Sequence, residues 1–138
     1  MPTFAELSVG DELPPLTKVL DRSQLVKYAA GSGDFNPLHF DPEFPQAISI
    51  GDNIVHGRLK YAALGQLVSD WLGHRGWVRR ISAQYRGMDR RGAAFTCKGR
   101  VSALREDGGN KVVELELWTE SAEGRRTTSG TAEVVLDR

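Results

Sequence analysis

Asp34 and His39 stand five positions apart in the run Ser32-Gly33-Asp34-Phe35-Asn36-Pro37-Leu38-His39-Phe40-Asp41. Asn36-Pro37 bends the chain between them, so their side chains are placed to converge on one water molecule. An aspartate is ionised at neutral pH and a histidine exchanges protons there, which supplies the two partners that acid–base chemistry on a water needs. Further on, His56-Gly57 opens an apolar stretch of helical period. A glycine N–H at a helix start has no intrahelical acceptor and lies in the positive end of the helix dipole. Without a Cβ it also lets an oxygen that is gaining charge approach closely. Asp34, His39 and Gly57 are therefore the candidate catalytic residues.

The same residue types have plainer uses. A Gly-Asp pair often does no more than make a turn. Asn36 and Asp41 suit backbone hydrogen bonds that shape the loop, with Asn36 also a candidate to touch the site. His56 is read as orienting the loop, and His74 as structural. Asp34, His39 and Asp41 offer metal-ligand chemistry, but no second histidine follows at helical spacing, so no metal is expected.

These residues need elements to hold them. The first twenty residues are loop-like, broken by Gly10, Pro14 and Pro15, with a short strand over Leu16–Leu20. A helix follows, capped by Asp21 or Ser23, spaced by Leu25, Tyr28 and Ala29, and stopped at Gly31. From Gly31 to His56 glycine, proline, asparagine and aspartate cluster without a sustained period; such a long connection is usually functional, and Pro42–Ala47 is its candidate helical piece. Gly57–Leu72 is the strongest helix, apolar on so many sides that it is expected to be surrounded by protein, with Gly73 ending it. Gly65 within it disfavours the helix by about 1 kcal/mol relative to alanine, so it should either open room beside the helix or permit close packing.

Beyond that helix the period becomes two. Trp77–Arg86 reads as a strand. Phe95, Cys97, Gly99, Val101 and Ala103 alternate with polar residues, as do Val113, Leu115 and Leu117, and Ala132, Val134 and Leu136 close the series. Asp107-Gly108-Gly109-Asn110 and Glu123-Gly124 supply turns. The consecutive strands form an antiparallel sheet that needs one face covered, and the Gly57–Leu72 helix is the cover. This is an α+β fold: a single hotdog domain over 1–138, its antiparallel sheet wrapped around one long central helix. Cys97, within the alternation, is expected to be a buried structural thiol.

Composition narrows the function classes. The chain has 138 residues, enough for one core without staples. Eighteen basic residues balance eighteen acidic ones, so charge argues for neither nucleic-acid nor membrane binding. One cysteine excludes an intramolecular disulfide and fits a reducing cytoplasm. No window approaches the roughly 18 apolar residues of a membrane helix. The N-terminal run contains acidic residues and no apolar core of signal-peptide length, so a cytoplasmic location is expected.

The Ser-Gly-Asp-x-Asn-Pro-x-His-x-Asp run, followed by His56-Gly57, resembles the MaoC-like or (R)-specific enoyl-CoA hydratase family, and the order of elements fits from the first helix to the last strand. The resemblance implies reversible addition of water to a trans-2-enoyl thioester. That reaction needs a base for the water, an acid for the α-carbon and stabilisation of enolate charge, roles that fall on Asp34, His39 and Gly57. Asn36, His56, Arg58 and Gly65 become candidate substrate-binding residues. No cofactor is implied; an acyl group on coenzyme A or acyl carrier protein is the substrate. A homodimer is the expected assembly, with a heterodimer of two hotdog subunits as the alternative. An acyl-binding scaffold subunit and a hotdog thioesterase are the other functions weighed. The sequence departs from the family pattern at Arg58, where methionine is common, and at Met88-Asp89 and Gly92-Ala93, where Pro-Val and Gly-Asp are usual. Arg86, Arg90 and Arg91 form a basic rim suited to coenzyme A phosphates or simply to solvent.

Overall fold

Leu16–Lys18 forms strand β1, and Asp21 then caps helix α1, Arg22–Ser32. The Asp21 carboxylate accepts the Gln24 N–H at 2.8 Å while the Gln24 side chain accepts the Asp21 N–H at 2.9 Å, a reciprocal capping box. The stop expected at Gly31 falls instead at Gly33. There the backbone turns left-handed, at φ 77°, and donates its N–H to the Ala29 carbonyl. Gly31 stays within the last turn, because the left-handed position and not the first glycine defines the end. The short helix expected at Pro42–Ala47 is α2, Pro45–Ile50; proline suits its first turn, where no N–H is needed. Helix α3 runs Gly57–Leu72, as its period requires.

The structure is a computed structural model that describes residues 2–137; Met1 and Arg138 lie outside the described residues. Strands β2 (Gly76–Tyr85), β3 (Phe95–Asp107), β4 (Asn110–Glu120) and β5 (Arg126–Leu136) join β1 in one antiparallel sheet. The order is β1-β3-β4-β5-β2. Strands β3 to β5 form the expected meander, but β2 crosses to the far edge and pairs with β5. Alternation reports which residues face the core and is silent about which strands are neighbours.

The sheet curls around α3, whose Leu64, Leu67 and Val68 meet Phe95, Cys97, Val101, Leu115, Leu117 and Val134 in one core. The Cys97 thiol is fully buried, and burial pushes its pKa up to about 12, as a structural thiol requires. The expectation that α3 is enclosed on all sides is corrected. Ala62 and Gln66 are exposed and Leu59 and Trp71 half-buried, because the sheet covers only one side of the helix. Among the described residues no helix is long and apolar enough to cross a membrane.

Candidate active site

Gly33 aims the chain away from α1 and Asp34 emerges directly after it. The Asp34 Oδ1 atom accepts the Asn36 N–H at 3.3 Å, which leaves Oδ2 to face His39. Asn36 caps a 3-10 turn over Pro37–His39, its Oδ1 accepting the Leu38 N–H at 3.1 Å. Asp41 closes the loop by accepting the Glu43 N–H at 2.9 Å. The loop-shaping roles expected of Asn36 and Asp41 are therefore visible as hydrogen bonds.

His39 is only 8% exposed. Its Nδ1 lies 2.9 Å from the Ile54 carbonyl, which can only accept, so Nδ1 carries the proton and Nε2 the lone pair. Nε2 stands 3.7 Å from Asp34 Oδ2, too far for a direct hydrogen bond and suited to a water touching both. His56 is fully buried and stacks on His39, ring centroids 3.8 Å apart and planes at 21°. Its Nε2 donates to the Asp34 carbonyl at 3.2 Å, and the Tyr28 ring meets its edge at 4.8 Å. Burial first, and then the neighbouring His39, hold the His56 pKa below the ordinary histidine value. A neutral His56 thus orients both members of the pair.

Gly57 follows His56 as the first residue of α3. The Leu59 and Lys60 N–H groups already share the His56 carbonyl, at 3.1 and 3.2 Å, and those of Gly57 and Arg58 have no intrahelical acceptor. A Cβ on Gly57 would come within 3.0 Å of the Tyr85 ring, so packing alone already calls for a glycine here. Arg58 is exposed, and solvent meets its charge. A Cβ on Gly65 would meet nothing within 4 Å, so of its two expected roles close packing is excluded.

All three residues expected in the basic rim are engaged within the chain, Arg86 by donating to the Gln84 side-chain oxygen. Arg91 grips the Asp52 carboxylate through two bonds of 3.1 Å, and Arg90 donates to the Ile50 carbonyl at 3.0 Å. The reason given against a metal also changes. Donor atoms of Asp34, His39 and His56 lie within 4.8 Å of one another, so a second histidine is present in space though not at helical spacing. The near-parallel stack, however, runs the ring lone pairs side by side instead of converging them, a poor start for a tetrahedral site.

Sequence reasoning missed the residues that brace this geometry. Asn53, fully buried, donates to the Leu38 and Asp41 carbonyls at 2.9 and 2.8 Å, clasping the loop on both sides of His39. Lys60, 1% exposed, donates to the Gly87 carbonyl at 2.9 Å and pairs with Asp89 at 3.0 Å. Thr127 donates to the same carboxylate at 2.5 Å, and the Asp89 carbonyl accepts the Val55 N–H at 2.8 Å. Asp89 thereby ties the start of α3 to the segment whose Ile54 carbonyl fixes His39. The Asn53 signal lay in its place within the polar Gly31–His56 stretch; nothing local marked Lys60.

A curled sheet on one helix, with an aspartate–histidine pair beside that helix's N-terminus, defines a hotdog protein equipped for acid–base chemistry on a water. A family model described as a MaoC like domain matches residues 8–132, and the chain belongs to that family. The (R)-specific enoyl-CoA hydratase of Aeromonas caviae is 30% identical over 131 residues, covering 94% of this chain and 96% of the relative. A solved structure of an (R)-hydratase from A. caviae involved in PHA biosynthesis superposes with a TM-score of 0.86 at 30% identity, covering 96% of this chain and 98% of that one. The ChsH1–ChsH2 complex from Mycobacterium tuberculosis shares the fold, with a TM-score of 0.78 at 22% identity over 94% of this chain and 98% of that one.

Proposed function

We propose that this protein is an (R)-specific enoyl-thioester hydratase, acting reversibly on trans-2-enoyl thioesters of coenzyme A or acyl carrier protein. The observation that carries the reading is the His39 Nδ1–Ile54 carbonyl bond of 2.9 Å, which leaves a lone pair on Nε2 facing Asp34 Oδ2 at 3.7 Å. A water between them gives a proton to Nε2 as its oxygen bonds to C3 of the substrate. The alkene π pair moves onto the thioester oxygen, where the Gly57 N–H and the dipole of α3 stabilise it. Asp34 holds the water and balances the imidazolium. The enolate then collapses as the proton passes from Nε2 to C2, so one group serves as base and acid and water adds to one face. Asn36 and His56 act by holding Asp34 and His39 in place, Arg58 meets substrate from the first turn of α3, and Gly65 leaves room along the helix for the acyl chain.

The site is half-open in one chain: the Asp34 side chain is 43% exposed. Beside it β2 offers a ten-residue strand with one unpaired edge, carrying exposed Trp77 and Tyr85. Such an edge is a template for another strand, which supports a dimer of two copies; a second hotdog subunit is the alternative partner. The test is to incubate the protein with trans-2-enoyl-CoAs of several lengths, following loss of conjugated-alkene absorbance and the configuration of the product. An (R)-3-hydroxyacyl product is expected. Thioester cleavage with the alkene intact would favour a thioesterase, and activity only with an added hotdog subunit would favour the heteromer.

A further inference from the structure

Hydration of an enoyl thioester needs no fixed cation beyond the helix dipole and the imidazolium that forms in turnover. Arg58 nevertheless stands in the first turn of α3, one residue after the Gly57 N–H. It is exposed, and its guanidinium has no ion-pair or hydrogen-bond partner among the described residues. Two phenols flank the same turn. The Tyr85 ring lies 3.0 Å from where a Cβ on Gly57 would stand, and Tyr28 packs edge-on against His56, ring centroids 4.8 Å apart. Neither hydroxyl bonds a protein group among the described residues. Burial raises the Tyr28 pKa, so this phenol stays a donor at neutral pH. The Arg58 charge acts on it in the opposite sense, while Tyr85 and Asp34 add to the rise. Arg58, Tyr85 and Asp34 thus all stand within electrostatic reach of Tyr28.

Arg58, Ala62 and Gly65 follow one another at helical spacing and share one face of α3. Ala62 is exposed and a Cβ on Gly65 would meet nothing within 4 Å, so this is the face along which an acyl group has room. Arg58 puts a cation at its start, where the acyl group leaves the thioester. A plain hydrocarbon chain there would strip water from the guanidinium without replacing its hydrogen bonds. A carboxylate would meet it in a paired, charge-assisted bond and could accept from the phenols as well. The cation also offsets the repulsion that Asp34 exerts on a second negative charge. We propose that the acyl group of the substrate is short and ends in a carboxylate, which Arg58 binds with Tyr28 and Tyr85 beside it. The proposal rests on the hydratase reading and names its acyl class. The carboxylate lies only a few carbons from the thioester, because Arg58 adjoins the Gly57 N–H.

The experiment compares trans-2-pentenoyl-CoA with its analogue bearing a carboxylate in place of the terminal methyl group. Both are given to the unaltered protein, to Arg58→Met and to Tyr28→Phe, and the readout is the ratio of kcat/KM for the carboxylated over the plain substrate. The two share one carrier, so whatever Arg58 does for the carrier cancels in the ratio. The unaltered protein should favour the carboxylated substrate. Arg58→Met should lower the ratio at least about tenfold, the usual result of removing one partner of a charged hydrogen bond, and Tyr28→Phe should lower it severalfold. A preference of the unaltered protein for the plain chain, or a ratio that Arg58→Met leaves unmoved, overturns the proposal and leaves the hydratase reading standing. Should the unaltered protein hydrate neither substrate, the hydratase reading fails. Calorimetry with the saturated glutaryl and pentanoyl thioesters of N-acetylcysteamine then reads the site by itself. Tighter binding of the glutaryl thioester that Arg58→Met loses sustains the carboxylate site; equal binding of the two, or binding of neither, overturns it.

Discussion

Lys60 and Asp89 meet at 3.0 Å with both side chains 2% exposed. Removing one partner of such a pair strands a charge in the interior, whereas removing both is often neutral. Lys60→Met should therefore lower unfolding stability by roughly 3–5 kcal/mol, and Lys60→Met/Asp89→Leu should recover most of it. Urea denaturation checks both, and a double variant as unstable as the single one would contradict the pairing. His56 makes a second claim at this scale. Its depressed pKa means that the native state holds it neutral while the unfolded chain protonates near the ordinary value of 6.5. Its contribution is fully present above that value and is lost as pH falls below it towards the folded pKa. The decline in stability between neutral and mildly acidic pH should be shallower in His56→Gln, and an unchanged slope would remove His56 as its cause. Asp34 and His39 stood out as candidates because a dense local run marks them, and Gly57 because it opens the apolar helical period. Lys60 was not: a lysine three positions beyond a helix start reads as surface, and its partner Asp89 lies 29 positions away.

Among the elements, α3 was legible from Gly57 to Leu72 because its apolar period runs unbroken between a histidine cap and a glycine stop. β3 to β5 were legible because alternation and glycine turns coincide. The end of α1 was misplaced by two residues, since two nearby glycines compete and only backbone handedness decides between them. The first turn of α3 carries the element-scale prediction. A Cβ at Gly57 meets the Tyr85 ring and would also crowd the N–H proposed to receive the thioester oxygen. Gly57→Ala should lower kcat by about 10²-fold, the usual scale for misplacing a reacting group by an ångström. Adding Tyr85→Ala should restore the packing, read as Tm, without restoring kcat. Recovery of turnover in the double variant would show that the glycine serves packing alone.

At the scale of the molecule, the sheet has two unequal edges: three residues in β1 and ten in β2. The long edge sits beside the half-open site, so the assembled protein is expected to be a dimer joined there. Sedimentation should give twice the chain mass, and an Ala83→Pro substitution, which removes a backbone donor facing the open edge of β2, should weaken association more than folding. A dimer unaffected by Ala83→Pro would place the interface elsewhere. This edge was not legible in the sequence, because the crossing of β2 to the far side of the sheet leaves no trace in its alternation.

The proposed catalytic pair is tested most directly by comparing Asp34→Asn and His39→Gln with the unaltered protein in the hydration of one enoyl-CoA. Both substitutions keep shape and polarity, so both variants should fold with near-native Tm. Each should lose at least about a hundredfold in kcat, the lower end of what general acid–base catalysis contributes. A folded variant of either kind with undiminished turnover would contradict the role given to its residue.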